Sequence, residues 1–264
     1  MLKTRVYLVR HGETDNNVKH RFIGKTDMPL NDRGQNQAKC LGRAMAGIPV
    51  ETIYSSPLLR TMMTAEQIQG SRDIAIIPEK ALAEIDCGMW EGLDRAEIQE
   101  RWPGMIDLWQ YEPERLQFPE GETFQQVQER AVEAFVRIVH ENLGRTIVIS
   151  THMLPLQLII AKLLNISIHD VWNMRRVENT SVTSLDIWQD GTFKILAWGD
   201  DSHLPAELRN EYVRVAGFVQ PNFSAQYELS SFEGNHYSPL LSAALPDGSK
   251  QRGVDNAKRI HPFR

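Results

Sequence analysis

Short apolar runs rich in β-branched residues alternate with helical segments through most of this chain. The strand-like runs cover residues 6–9, 52–55, 74–77 and 146–150, and the last of these, which reads TIVIS, is the clearest. Strands that alternate with helices predict an α/β domain with a mostly parallel central sheet. Further on, residues 181–187 and 192–198 flank the turn sequence Gln-Asp-Gly, which predicts a hairpin.

Helix signals lie between the predicted strands. One helix is expected over residues 34–45, and another after Ser56 as N-cap with Pro57 at the first helical position. Thr123 and Gln126 form a capping box that predicts a helix running to about residue 143. Helical spacing in this segment places six apolar side chains on one buried stripe: Phe124, Val127, Ala131, Phe135, Ile138 and Val139.

The last part of the chain has a different character. From residue 205 onward there is no sustained period, and Pro, Gly, Ser and Asn are frequent, yet aromatic residues recur. We therefore predict a catalytic domain over residues 1–204 and an irregular C-terminal extension over residues 205–264. The extension is expected to pack on the domain or on a second subunit, which would make a homodimer; a flexible tail is the alternative.

Composition narrows the range of partners. A net charge of −5 argues against broad nucleic-acid binding, although a small basic pocket is compatible with it. Cys40 and Cys87 do not have metal-site spacing, and the longest apolar stretch, residues 154–164, is too short to span a bilayer. With no signal-peptide pattern at the start, we expect a cytoplasmic enzyme with no membrane or nucleic-acid partner.

Functional side chains follow several of the predicted strands. His11, preceded by Arg10, ends the first strand, and His152 ends the strand at 146–150. Arg60 lies in the first turn of the helix after the second strand, and Glu84 follows the third by one loop. Ligands of open α/β sheets bind beyond the carboxyl ends of the strands, so we expect these five side chains to converge.

This set of residue types suits phosphoryl chemistry. Arginine forks bind phosphoryl oxygens, an imidazole can attack phosphorus, and a carboxylic acid can protonate the leaving oxygen. The cationic side chains supply the charge, so no metal or other cofactor is expected. From spacing alone the prediction stays at an anion-binding α/β enzyme, because a single histidine, arginine or glutamate at such a place is usually structural.

Several segments, in order, resemble the histidine phosphatase (phosphoglycerate mutase-like) superfamily. Residues 8–14 read LVRHGET, 24–30 read GKTDMPL, 30–38 read LNDRGQNQA, 55–61 read SSPLLRT, and 84–92 read EIDCGMWEG. His152 falls at the second histidine of the family and Asn17 at its phosphate-contacting asparagine. The resemblance spans roughly residues 3–204 and implies a three-layer α/β/α sandwich.

The resemblance also implies roles for individual residues. His11 would take the phosphoryl group, Glu84 would act as proton donor and then base, and the remaining catalytic residues would be Arg10, Arg60 and His152. The substrate-binding residues would be Asn17, Gly24, Thr26 and Met153. Met153 departs from the family, which usually has glycine after the second histidine; its N–H remains available, but its side chain is expected to narrow the pocket.

Three functions remain open on the sequence. Mutases of this superfamily carry a longer insertion at the segment 94–120, with paired basic residues, whereas here the segment is short and aromatic and Arg95, Arg101 and Arg115 form no adjacent pair. The resemblance therefore favours a phosphatase for small organic phosphomonoesters over a phosphoglycerate mutase. Residues 120–123 and 179–183 are similar to broad-specificity and α-ribazole phosphatases. A non-catalytic module that binds phosphate ligands is the third option, because a fold alone does not establish activity.

Overall fold

The computed structural model describes residues 1–210 and 234–242. Its strands are β1 (Lys3–Arg10), β2 (Thr52–Ser55), β3 (Ile76–Pro78), β4 (Thr146–Thr151), β5 (Val182–Trp188), β6 (Thr192–Asp200) and β7 (His236–Tyr237). Its α-helices are α1 (Asp15–Val18), α2 (Asp32–Met45), α3 (Leu59–Gln69), α4 (Arg95–Arg101), α5 (Met105–Tyr111), α6 (Phe124–Glu141), α7 (Met153–Leu163) and α8 (Pro239–Ser242).

The described strands form one sheet in the order β3-β2-β4-β1-β5-β6-β7. The first four strands of this order run parallel to one another, while β5, β6 and β7 pair antiparallel. The predicted α/β class is thus confirmed, and the sheet is mixed rather than mostly parallel. The physical reason is the predicted hairpin, because a short turn at Gly191 can join only antiparallel strands.

Helices cover both faces of the sheet and give the predicted three-layer sandwich. Side chains of β1 alternate between the faces: Leu8 belongs to the core under α6 and α7, and Val9 to the core under α2 and α3. Helix α7 is almost wholly buried and α6 is amphipathic, as its predicted stripe required. The capping box at Thr123 is present, and α6 ends at Glu141, two residues before the predicted end.

Helix α3 begins later than predicted. Its N-cap is Leu58 rather than Ser56, and Pro57 lies before the helix. The Ser56 side chain instead contacts a histidine at the strand ends. The sequence predicts an N-cap at Ser56 because serine favours the N-cap and proline the first helical position.

The predicted extension is described only in part. Residues 205–210 contact α2, and the short strand β7 pairs with β6, while Leu241 is buried against the main core. The rest of the stretch 205–264 lies outside the described residues, so the domain boundary stays a prediction. In the described part of the chain, no helix is long and apolar enough to cross a bilayer.

Candidate active site

The carboxyl ends of β1, β2 and β4 meet at one edge of the sheet. The parallel pairing of β1 with β4 continues one residue past the strand, where the N–H of His11 donates to the carbonyl of Thr151 at 3.0 Å. His11 and His152 therefore lie side by side, with ring centroids 5.1 Å apart and ring planes at 62°. Strand register alone thus brings together the two histidines predicted from the sequence.

His11 is buried and held in one tautomer. Its Nδ1 lies 2.6 Å from the carbonyl oxygen of Gly12, and because a carbonyl only accepts, Nδ1 must carry the proton. Burial, together with the charges of Arg60 and Arg10, holds the pKa of His11 well below its ordinary value. The ring is consequently neutral at neutral pH, with the lone pair on Nε2.

Two buried guanidinium groups act on this ring. Arg10 donates through Nη1 to the carbonyl of Val177 at 2.8 Å, and its Nε is buried without a hydrogen-bond partner among the described residues. Arg60 donates to the carbonyls of Thr26 at 3.0 Å and Gly24 at 2.7 Å. In the described chain neither guanidinium has a carboxylate within ion-pair distance, so both keep charge available for an anion.

Gly24 and Thr26 lie against Arg60 through their backbone. The hydroxyl of Thr26 donates to Glu91 at 2.7 Å, and the same carboxylate accepts the N–H of Gly24 at 2.9 Å. Glu91 therefore fixes the loop whose carbonyls orient Arg60. In this structure both predicted substrate-binding residues serve to place Arg60, and direct contact with substrate stays a prediction.

Glu84 is buried beside the arginines. Burial raises the pKa of its carboxyl group, against the lowering effect of the N–H of Ile85, which donates to Oε1 at 3.0 Å, and of the nearby arginine charges. Arg130 holds the preceding segment by donating to the carbonyls of Ala81, Ala83 and Glu84. A carboxyl group with a raised pKa in a buried cleft is suited to proton transfer.

His152 has one nitrogen engaged and one free. Its Nε2 lies 2.8 Å from Oγ of Ser56, while its buried Nδ1 has no partner among the described residues. Burial, with Arg60 and His11 as the largest charge effects, holds its pKa well below the usual value, so the ring is neutral. The hydroxyl of Ser56 can donate to Nε2 or accept from it, and when it donates, the proton of the ring lies on Nδ1.

Met153 is the first residue of α7 and packs on the main core. It is not among the residues with positive φ, so the turn after His152 does not require glycine here. Asn17 completes the capping box of α1 with the N-cap Thr14: its Oδ1 accepts from the N–H of Thr14 at 3.0 Å. Phosphate contact by Met153 and Asn17 stays a prediction.

Helix α2 packs against the segment that follows His11 and is hydrogen-bonded to it. The N–H of Glu13 donates to Oε1 of the fully buried Gln37 at 2.9 Å. A Cβ on Gly12 would lie 2.6 Å from the carbonyl oxygen of Gly34, and one on Gly34 would lie 2.1 Å from that of Glu13. Close backbone contact thus explains the glycines at 12 and 34, since any side chain would separate the two segments.

Sequence reasoning missed three residues that support the site: Ser56, Asn179 and Thr180. Asn179 donates to the carbonyl of His11 at 3.0 Å, and the N–H of Thr180 bridges the carbonyls of Arg10 and His11. Thr180 has a φ of 58°, which is costly for a β-branched residue. The Asn-Thr-Ser sequence itself was visible, but only the fold places it beside His11.

The chain is similar to several known proteins. The histidine phosphatase superfamily (branch 1) model matches residues 6–201. Phosphoserine phosphatase 1 of Hydrogenobacter thermophilus is 32% identical over 64% of this chain and 80% of its own length. The protein named Probable phosphoglycerate mutase GpmB of Salmonella arizonae is 30% identical over 80% of this chain and 99% of its own.

Solved structures are also similar to this chain. YhfR of Bacillus stearothermophilus is 36% identical, with a TM-score of 0.73 over 76% of this chain and 98% of that one. The α-ribazole phosphatase of Shigella flexneri is 26% identical, with a TM-score of 0.65 over 70% of this chain and 91% of that one. The chain belongs to the histidine phosphatase superfamily (branch 1).

Proposed function

We propose that this protein is a metal-independent phosphatase that hydrolyses small organic phosphomonoesters through a phosphohistidine on His11. The observation that carries the proposal is the pair of buried guanidinium groups, Arg10 and Arg60, around a neutral histidine, neither with a carboxylate of the described residues within ion-pair distance. Buried charges are normally paired, so such an arrangement is suited to receiving an anion from outside.

In the first step, Nε2 of His11 attacks phosphorus and the ester P–O bond breaks. Arg10 and Arg60 bind the equatorial oxygens, with Nδ1–H of His152 and the amide of Asn17 as further donors. Glu84, whose pKa is raised by burial, gives its proton to the leaving alcohol oxygen. The products are the free alcohol and phosphohistidine.

In the second step, water attacks the phosphohistidine. Glu84, now a carboxylate, takes a proton from the water as the P–N bond breaks. Inorganic phosphate leaves and His11 returns to its neutral form, in which the carbonyl of Gly12 again fixes the proton on Nδ1. The cycle is balanced without any external acid, base or oxidant.

Aromatic residues of the segment 94–120 pack with Phe22 and Trp90. The ring centroid of Phe22 lies 5.1 Å from that of Trp90 and 5.4 Å from that of Trp109, and the centroids of Trp90 and Phe118 are 4.8 Å apart. These rings therefore contact one another, and their packing names no substrate. Relatives named as phosphoserine and α-ribazole phosphatases favour hydrolysis.

A phosphoglycerate mutase remains the second candidate, because a relative named as a probable mutase aligns over nearly its whole length. The two candidates are separated by measuring phosphate release and 3-phosphoglycerate isomerisation side by side, with His11→Ala as the inactive reference. We expect release to exceed isomerisation. Faster isomerisation would overturn the choice, and no reaction with a panel of phosphomonoesters would leave a phosphate-binding module instead.

A further inference from the structure

The start of the C-terminal extension is joined to the back of the active site by hydrogen bonds. Residues 205–210 follow the last long strand and contact α2. Gln37 of α2 donates through Nε2 to the carbonyl of Leu208 at 2.9 Å, while its Oε1 accepts the N–H of Glu13. One buried side chain therefore connects the extension with the segment that follows His11.

A second connection passes through Asn210. Its Oδ1 accepts from Arg33 at 2.9 Å, and the same Arg33 also donates to the carbonyl of Arg209 and pairs with the buried carboxylate of Glu13. The acceptor end of Asn210 is thus tied to the residue pair that flanks the His11 segment on the α2 side.

The donor end of Asn210 faces the other flank of the site. Its Nδ2 donates to Oε2 of Glu178 at 2.9 Å and to Oδ1 of Asn179 at 3.2 Å. Asn179 in turn donates to the carbonyl of His11, and Glu178 is the carboxylate whose charge acts most strongly on Arg10. The amide of Asn210 therefore orients one residue that holds the nucleophile and one that balances its neighbouring arginine.

We propose that Asn210 is a positioning residue for the phosphoryl pocket, acting through Asn179 on His11 and through Glu178 on Arg10. The inference rests on the proposed function and deepens it, because it makes residues 205–210 part of the site rather than a tail attached to a finished domain. The simpler interpretation is that Asn210 only anchors residues 205–210 to α2 through Arg33.

The two ends of the Asn210 amide allow the readings to be separated in the full-length chain. Asn210→Asp keeps an oxygen for Arg33 but loses the N–H group that donates to Glu178 and Asn179. Asn210→Ala loses both ends. Glu207→Ala is the matched control, because Glu207 is an exposed residue of the same segment.

If Asn210 acts by positioning, both Asn210 variants should lower kcat by about 2- to 30-fold with KM little changed, the range typical of residues that act through others. Amide hydrogen exchange should also quicken at residues 11–13 and 180 in both, with Glu207→Ala like wild type. An Asn210→Asp protein with wild-type kcat and exchange would reduce the residue to an anchor and overturn the proposal.

The proposed function can fail separately. If the wild type hydrolyses no phosphomonoester, the phosphatase proposal is lost, and hydrogen exchange alone then decides whether Asn210 holds the His11 segment. Unchanged exchange in both Asn210 variants would overturn the link itself, whatever the activity. Thermal unfolding of the three variants shows whether each is folded before either readout is compared.

Discussion

Replacing Ser56 with alanine tests whether a hydroxyl group outside the predicted catalytic set determines the state of His152. The Oγ–Nε2 distance is 2.8 Å and both side chains are fully buried, so no water is expected to replace the lost hydroxyl. We expect that in the wild type the hydroxyl donates to Nε2 and keeps the ring proton on Nδ1, where it can meet a phosphoryl oxygen. In Ser56→Ala that tautomer has an unsatisfied nitrogen.

The size of the effect follows from the cost of that nitrogen. Leaving a buried acceptor without a partner costs about 1–3 kcal/mol. If the whole cost falls on the tautomer that binds the phosphoryl group, kcat/KM should drop by about 5- to 150-fold, since each 1.36 kcal/mol is tenfold in rate. If the unsatisfied nitrogen destabilises the free and the substrate-bound protein equally, kcat/KM does not change and only the free energy of unfolding falls.

Ser55→Ala is the matched control. Ser55 is the adjacent buried serine, and its hydroxyl donates to the carbonyl of Ser56 at 2.8 Å without touching His152. Nitrogen-15 spectra of the imidazole rings report the tautomer directly, and steady-state assays report kcat/KM. The reasoning is refuted if wild-type His152 carries its proton on Nε2, or if Ser56→Ala is no slower than Ser55→Ala.

Three further predictions concern single residues. Glu84→Gln should slow hydrolysis of alkyl phosphates by about 10²–10⁴-fold and of a nitrophenyl ester far less, because only poor leaving groups need the proton; equal losses would give Glu84 another role. Met153→Gly should lower the free energy of unfolding in urea by about 1–2 kcal/mol without raising activity, since the helix start needs no glycine; higher activity would show that the methionine obstructs the pocket. The pKa of His152 is depressed in the folded state, so its contribution to stability is complete above the unfolded pKa near 6.5 and is lost as pH falls below it, with a limiting slope of about 1.4 kcal/mol per pH unit. Urea unfolding between pH 7.5 and 5.5 should therefore be less pH-dependent in His152→Gln than in the wild type, and equal slopes would contradict the assignment.

Much of the fold was predictable because its signals are local. The run at 146–150 and the capping box at Thr123 each specify an element with little help from the rest of the chain. The same locality brought the two predicted histidines together, since residues that follow parallel strands share one edge of the sheet. His11 and His152 are 141 residues apart in sequence, yet strand register alone makes their rings neighbours.

What could not be predicted depends on contacts between distant segments. Ser56 followed by Pro57 predicts a helix N-cap, but the hydroxyl of Ser56 contacts His152 instead. The helix therefore begins two residues later than predicted. Asn210 has no motif of its own, and its position beside Glu178 and Asn179 appears only when the extension folds back on α2.

The central claim is that His11 becomes phosphorylated during turnover. Rapid quenching of the wild type with a phosphorus-32-labelled phosphomonoester should trap acid-labile, alkali-stable label on the peptide that contains His11. His11→Ala should show neither label nor turnover, while His169→Ala, at an exposed histidine, should match the wild type. Hydrolysis by the wild type with no label at His11, or near-normal activity of His11→Ala, would contradict the account.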